Sequence, residues 1–372
     1  MIRILQVVNT MNRAGLETML MNYYRHIDKT EIQFDFLTHR PDRGDYDNEI
    51  EEMGGKIYYA PRLYPKNYPN YFRWMKKFFA DHPEYRIIHS HIDAMSFLPL
   101  LAAKKSKIPV RIAHSHSTSI DKDYKYFLKQ FFRSRINHIS TNRLACGDDA
   151  GLFLFKGKSF CIIPNAVDAS NFFFNDQIRL KKRRELSVTD EFVVAHVGRF
   201  YYPKNHMFLV EIFKEIIKFE PKALLLLVGT GEKENEVVQY VSELDLNKNV
   251  RFLGNRDDVA ELYQAMDVLV LPSLFEGVPL VGIEAQFADL PCFFSNKVPK
   301  EVKFIEKTKF ISLDASAEKW ARDIVATKRT LSKRDKIENK YCKFDIKVSY
   351  KILVDYYLSL ENNFEKGSLQ WN

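Results

Sequence analysis

Short apolar runs alternate with longer amphipathic ones along most of this chain, and no other feature restricts the fold as strongly. Strands are predicted over residues 3–9, 34–39, 56–60, 86–91, 110–116, 144–146 and 159–164, with helical segments between most of them. The segment 16–27 reads as a helix because Leu16, Met19, Leu20, Tyr23 and Tyr24 fall on one side at helical spacing. Strands separated by helices pair in parallel and are covered on both faces. A second series follows, over 192–197, 223–228, 250–253, 268–271, 291–295 and 310–313. The expectation is an α/β protein of two doubly wound parallel sheets, with the carboxyl ends of their strands lining a shared cleft. At 372 residues the chain is longer than a single core usually grows, and a hydrophobic content of 46% can fill two. We place the first domain at residues 1–167 and the second at 168–345. The segment 346–372 opens with a helix carrying Ile346, Tyr350, Leu353, Val354 and Tyr357 on one stripe, and its end from 362 is expected to fray.

Two glutamates, Glu276 and Glu284, follow the apolar stretch 267–271, which reads as a buried parallel strand. Residues 281–287 read as the first turns of a helix that opens around Pro279, so Glu276 lies in the loop and Glu284 in the helix. A loop at the carboxyl end of a parallel strand aims free N–H groups and a positive helix end at the crevice, which suits a phosphate. Gly277 and the N–H groups of Leu280 and Val281 would cradle it, Pro279 having none to give. Each carboxylate is then left for a different group of hydroxyls. A diphosphate flanked by two polyols describes a nucleotide-sugar. Two glutamates so spaced also occur as ordinary surface residues. Ser273 before the loop, Gly277 within it and the small Gly282 and Ala285 on the helix favour the ligand reading.

Arg199 and Lys204 follow the strand 192–197 in a loop ahead of a helix that begins near His206. Their heads can reach the same crevice, the arginine as a forked donor to phosphate oxygens and the lysine as a point charge, together neutralising a leaving diphosphate. Pro203 and Asn205 read as loop shape. The histidines form two H-x-H runs, His89 with His91 and His114 with His116, each at a predicted strand end. Residues two apart share one face, so a metal held by imidazoles is geometrically conceivable, although no further residues of an open catalytic metal site are evident. No metal and no cofactor are assigned. No G-x-G-x-x-G pattern follows the first strand, which disfavours a dinucleotide oxidoreductase.

The net charge of +8 and the aromatic content of 14% suit an anionic partner or surface. Lys122, Lys125, Lys129, Arg133, Arg135 and Arg143 are interleaved with Tyr124, Tyr126, Phe127, Leu128, Phe131 and Phe132. Such a helix either contacts an anionic membrane surface or packs its aromatics on its own sheet. No basic recognition helix, zinc finger or aromatic RNA-binding pattern appears, so nucleic acid is not expected. Cys146, Cys161, Cys292 and Cys342 show no paired spacing, and no leader pattern or bilayer-length apolar run is seen. A cytoplasmic protein at the inner face of a membrane is the expected setting.

The segment from Glu276 to Glu284 resembles the glutamate-x7-glutamate signature of the retaining glycosyltransferases of family 4, which have the GT-B fold. Four other segments agree: 9–18 resembles the family's glycine-rich first loop, 163–168 its inter-domain hinge, 197–205 its diphosphate-binding arginine and lysine, and 227–232 a second glycine turn. The chain has Ala14 and Ala166 where that family usually has glycine. The similarity runs from about residue 1 to about 330 and is strongest to enzymes of bacterial exopolysaccharide and capsule assembly. It implies Glu284 on the ribose, Glu276 on the transferred sugar, His116 at the acceptor side, and Gly15 where the backbone nears the diphosphate or acceptor. It also implies a final helix crossing back onto the first domain. The reaction implied is a retaining, metal-independent transfer from a UDP-sugar to a hydroxyl of a lipid-linked oligosaccharide, in which the donor phosphate helps deprotonate the acceptor. Two alternatives stand beside it, a nucleotide-sugar epimerase on the same fold and a catalytically silent scaffold subunit.

Overall fold

The computed structural model describes residues 1–120, 123–328, 334 and 342–365. Residues 121 and 122, at the start of the basic aromatic run, lie outside them, as does the expected frayed tail from 366. The chain divides into two compact units, one of Met1–Ala166 together with the chain from Lys343 onward, the other Val167–Cys342. Among the described residues no helix is long and apolar enough to cross a membrane.

The first unit runs β1 (Ile2–Val7), α1 (Gly15–His26), β2 (Ile32–Thr38), α2 (Asp47–Glu52), β3 (Ile57–Tyr59), α3 (Tyr68–Asp81), β4 (Ile87–Ser90), α4 (Phe97–Lys105), β5 (Val110–Ser115), α5 (Tyr126–Ile139), β6 (Asn142–Ala145), α6 (Asp148–Phe155) and β7 (Cys161–Ile162). Its seven strands are parallel in the order β3-β2-β1-β4-β5-β6-β7. All seven residues of β2 are buried, as a sheet covered on both faces requires. That burial includes Asp35, which is neutralised in place by Arg3 at 2.6 Å and also accepts from the Tyr85 hydroxyl and the Lys56 N–H.

The second unit runs α7 (Asp176–Glu185), β8 (Val193–Val197), α8 (His206–Phe219), β9 (Leu224–Val228), α9 (Glu234–Glu243), β10 (Val250–Phe252), α10 (Val259–Ala265), β11 (Val268–Leu271), α11 (Leu280–Phe287), β12 (Cys292–Ser295), β13 (Thr308–Ile311) and α12 (Ala317–Lys328). Its six strands form the order β10-β9-β8-β11-β12-β13, again parallel. Both sheets are the Rossmann-like α/β layers expected from the alternation. The last helix, α13 (Ile346–Glu365), packs in the first unit, where Tyr357 is fully buried edge-on to Phe34 and Glu361 pairs with Arg86 at 3.0 Å.

The basic aromatic helix α5 divides its aromatics between two environments. Phe132, Ile136 and Ile139 are buried in the core, whereas Tyr124 and Phe127 are each 85% exposed and Phe131 is 52% exposed. Three of its cations are held by the protein itself: Lys125 donates to the Leu63 carbonyl, Lys129 pairs with Asp123 and Arg133 donates to the Phe153 carbonyl.

Helix α11 is fixed by a buried glutamine. The Gln286 amide nitrogen donates to the carbonyls of Gly282 and Val302, both at 2.9 Å, and its oxygen accepts from the N–H groups of Phe304 and Ile305 and the Thr308 hydroxyl. On the sheet side, a Cβ at Gly282 would come within 2.9 Å of the Phe294 ring, so the helix is seated as close as glycine permits. Gln286→Leu strips partners from several buried groups at once, each costing about 1–3 kcal/mol. The expected loss is about 3 kcal/mol or more, read as a lowered urea midpoint without a change in slope.

Candidate active site

In the second unit β8 and β11 are neighbours, so the loops leaving their carboxyl ends face each other. The two loops are joined by the Leu274 N–H donating to the Pro203 carbonyl at 2.8 Å and by Asn205 Nδ2 donating to the Pro272 carbonyl at 3.0 Å. Asn205 adopts a left-handed conformation, φ 57°, which asparagine tolerates better than most residues. This turn delivers Lys204 to Glu276, with Nζ 2.6 Å from Oε1 and both side chains more than four-fifths buried. The sequence separates these two residues into a phosphate ligand and a sugar ligand; the structure brings them into one ion pair.

Arg199 lies in the same loop, exposed, with Cζ 5.6 Å from the centre of the Tyr201 ring. The loop is shaped from beneath by the second glycine turn. A Cβ at Gly229 would lie 2.3 Å from the Gly198 carbonyl oxygen, and one at Gly231 equally close to that of Phe200. Gly229 also sits at φ 127°. Only glycine allows these two backbones to approach so closely.

Helix α11 starts directly after the Glu276 loop, with Pro279 at its N-cap and Gly277 half-buried before it. The first N–H groups of a helix have no partner within it, and those of Leu280 and Val281 make no hydrogen bond among the described residues. Together with Arg199 and Lys204 they give this edge of the sheet positive character. Glu284 lies one turn further on and accepts from the Tyr263 hydroxyl at 2.9 Å. Burial pushes the Glu284 carboxyl up to about 7, opposed by that hydrogen bond. Tyr263, itself raised by burial and then by Glu284, stays neutral as the donor.

Behind Lys204 stands a feature the sequence reading missed. His196, on β8, donates from Nδ1 to the Val270 carbonyl at 2.8 Å, leaving Nε2 buried without a partner. His206, the first residue of α8, is stacked on Phe200 with both ring nitrogens unpartnered. Burial holds both rings well below the ordinary histidine range, His206 at about 4, and the Lys204 charge adds to this. The signal was available as a histidine inside the otherwise aliphatic strand Val193–Val197.

The remaining predicted residues belong to the first unit. Gly15 begins α1 in an exposed position, and a Cβ there would meet nothing within 4 Å, so internal packing does not demand glycine. His116 follows β5, and its backbone N–H donates to Asp93 Oδ1 at 2.8 Å. Its ring belongs to a buried set with His89, His91 and His114. One ring nitrogen from each of His89, His91 and His114 lies within 4.8 Å of the others. Both ring nitrogens of His89 and of His91 and the Nδ1 of His114 are engaged in hydrogen bonds with Gln6, Tyr357, His116 and one another, whereas His114 Nε2 is buried without a partner.

Residues 13–171 match the family described as Glycosyltransferase Family 4, and residues 177–340 match Glycosyl transferases group 1. The chain is 35% identical over 309 residues to the putative glycosyltransferase EpsF of Bacillus subtilis, covering 81% of this chain and 80% of that protein. The chain is a family 4 glycosyltransferase. The transferase is 27% identical to the capsular polysaccharide biosynthesis glycosyltransferase CapH of Staphylococcus aureus, over 96% of this chain and 99% of that one. It is also 30% identical to the UDP-Gal:alpha-D-GlcNAc-diphosphoundecaprenol alpha-1,3-galactosyltransferase of Escherichia coli, over 57% of this chain and 58% of that enzyme. Its fold matches Anabaena HepE, solved with UDP-glucose, with a TM-score of 0.81 at 18% identity, over 96% of this chain and all of that one. The transferase thus has the GT-B fold that the motifs implied.

The raised Glu284 pKa makes a prediction that needs no substrate. The folded state holds this proton more tightly than the unfolded chain, whose carboxyl titrates near 4.5. The resulting stability is fully present below pH 4.5 and is lost as pH rises through about 7. Glu284→Gln does not titrate, so its Tm should fall less than the wild type's between about pH 5 and 7.5. Parallel Tm profiles for the two proteins would contradict the raised value.

Proposed function

We propose that the transferase moves a sugar, with retention, from a UDP-sugar to a hydroxyl of a lipid-linked saccharide during exopolysaccharide or capsule assembly. The observation that carries this reading is the convergence of Lys204, Glu276, Arg199 and the α11 N-terminus at one sheet edge. In this reading Arg199, Lys204 and the N–H groups of Leu280 and Val281 take the diphosphate, with Gly277 allowing close approach. Glu284 accepts from the ribose hydroxyls, and Glu276, oriented by Lys204, accepts from hydroxyls of the transferred sugar. His116 and Gly15 serve the sugar and acceptor. Charge develops on the departing phosphate oxygen, so donors already aimed there lower the barrier more than they tighten binding. The same phosphate takes the acceptor proton on the face it leaves, and neutralisation by protein cations makes a divalent metal unnecessary. Names among the relatives support the donor and acceptor classes: the E. coli enzyme uses UDP-Gal and a diphosphoundecaprenol-linked sugar, and CapH belongs to capsular polysaccharide biosynthesis.

The test is a transfer assay with a UDP-sugar panel and a lipid diphosphate primer, run in EDTA with no added divalent ion. Activity should persist in the chelator, and Lys204→Ala should lower kcat by about 10²-fold, the scale for losing one transition-state donor. Normal turnover in folded Lys204→Ala, or activity that returns only with Mg2+, would remove the mechanism. Conversion of donor alone to an epimer would replace transfer with isomerisation.

Contact with an anionic membrane surface at the cytoplasmic face fits the lipid-linked acceptor, and the exposed side chains of Tyr124, Phe127 and Phe131 supply an apolar contact beside Lys and Arg. Because Lys125 and Arg133 also tie this run to other parts of the domain and Lys129 is paired with Asp123, the aromatics give the cleaner test. Phe127→Ser with Phe131→Ser should weaken binding to phosphatidylglycerol vesicles by about tenfold or more, from the loss of buried apolar area. Turnover on a soluble acceptor analogue should be kept. Unchanged co-sedimentation would leave α5 as ordinary domain packing.

A further inference from the structure

The glutamine at the middle of the first sheet has a place in the chemistry of His116. Gln6 on β1 is in register with His89 on β4, and β4 pairs in turn with β5. Side chains two apart share a face, so Gln6, His89, His91, His114 and His116 lie on one side of the sheet, where Tyr357 of α13 meets them. All but His116 are fully buried.

The hydrogen bonds run outward from Gln6 in two strings. In the first, the Gln6 amide oxygen accepts from His91 Nε2 at 2.8 Å. A carbonyl oxygen cannot donate, so this nitrogen carries the proton of His91. Burial keeps His91 neutral, hence its Nδ1 is a lone pair, and it accepts from His116 Nε2 at 3.0 Å. His116 is neutral for the same reason, so its lone pair falls on Nδ1. In the second string, Gln6 Nε2 donates to the Tyr357 hydroxyl at 3.2 Å, which donates to His89 Nδ1 at 2.6 Å, and His89 Nε2 donates to His114 Nδ1 at 3.1 Å. An amide has an acceptor at one end and a donor at the other. Turning it over would reverse both strings and convert His116 Nδ1 from an acceptor into a donor.

We propose that Gln6 is a positioning residue that fixes the tautomer of His116, so that His116 meets a substrate hydroxyl through Nδ1 as a hydrogen-bond acceptor. The substrate group it takes is an O–H of the donor sugar or of the incoming acceptor, and it does not serve phosphate. This rests on the reading that His116 serves the transfer, and the tautomer is measurable without it.

Two-bond ¹H–¹⁵N spectra of the full chain labelled with ¹⁵N-histidine report which ring nitrogen is protonated, with His116→Ala to assign the signal. The wild type should show His91 and His116 in the Nε2–H form. Gln6→Met removes the acceptor, so both rings should become tautomer mixtures and kcat should fall about tenfold, with the donor KM changed less than about twofold. Gln6→Glu, read at a pH high enough to ionise the buried carboxyl, can only accept, so it should keep the His116 tautomer while reversing the Tyr357–His89–His114 string. If Gln6→Met does not fold, this selective reversal alone decides. A released His116 tautomer with unchanged kcat would keep Gln6 in its role and remove His116 from the reaction. Three results would overturn the proposal: His116 as Nδ1–H in the wild type, an unchanged His116 tautomer in Gln6→Met, or one equivalent of zinc in the purified protein. Zinc on His89, His91 and His114 would replace the hydrogen bonds between the rings.

Discussion

Strands β8 and β11 lie side by side in the second sheet although α8, β9, α9, β10 and α10 separate them in the chain. The strand order turns at this point. To the β8 side the sheet continues through β9 and β10, to the β11 side through β12 and β13, so the connections leaving β8 and β11 go opposite ways and open a crevice between them. Lys204 comes from one connection and Glu276 from the other. Their ion pair exists because the backbone ladder put two remote loops within reach, and the bonds from Leu274 and Asn205 keep them there. The positive end of α11 follows without further cost, since every helix leaves its first N–H groups free.

Charge management differs between the two sheet edges. In the second unit an exposed Arg199, a paired Lys204 and two free N–H groups leave a surplus of donors, as an anion site needs. In the first unit the corresponding face carries four histidines packed ring against ring with a tyrosine and a glutamine. Protonating any of these would bury a charge beside other desolvated rings, and burial is the first cause of the depressed pKa in each. The face is therefore polar yet uncharged at neutral pH. Only His116 of this set is not fully buried, and a neutral ring there suits a hydroxyl group better than a phosphate, in line with the division of labour proposed for the two units.

The fold was legible because it depends on local periodicity. All thirteen strands among the described residues overlap the apolar runs that predict them, and α11 begins one residue after Pro279, since a parallel strand buried on both faces leaves a continuous hydrophobic signature. The positions of Arg199, Lys204, Glu276 and Glu284 on loops and helix starts were legible for the same reason. Their pairings were not. Whether Lys204 meets Glu276, or which aromatics of α5 face outward, depends on sheet order and packing that no window of sequence contains. The buried glutamines show the limit most sharply. Gln6 and Gln286 look like surface residues by type, and their importance comes from partners up to 351 positions away in the chain.

That both units use glutamine in this way has a physical reason. A buried anchor must satisfy donors and acceptors at once, and it must do so at every pH the protein meets. An amide carries both functions and never ionises in this range, whereas a glutamate in the same place would bring the desolvation cost seen at Glu284. Gln286 therefore can hold α11 rigid while Glu284, on the same helix, is free to change its protonation. Gln6 likewise can order a set of histidines without charging any of them. Each glutamine also has a direction, because oxygen and nitrogen are not interchangeable once their partners are fixed. Rigidity and hydrogen-bond polarity are thereby set from within the core, by residues that need not touch a substrate.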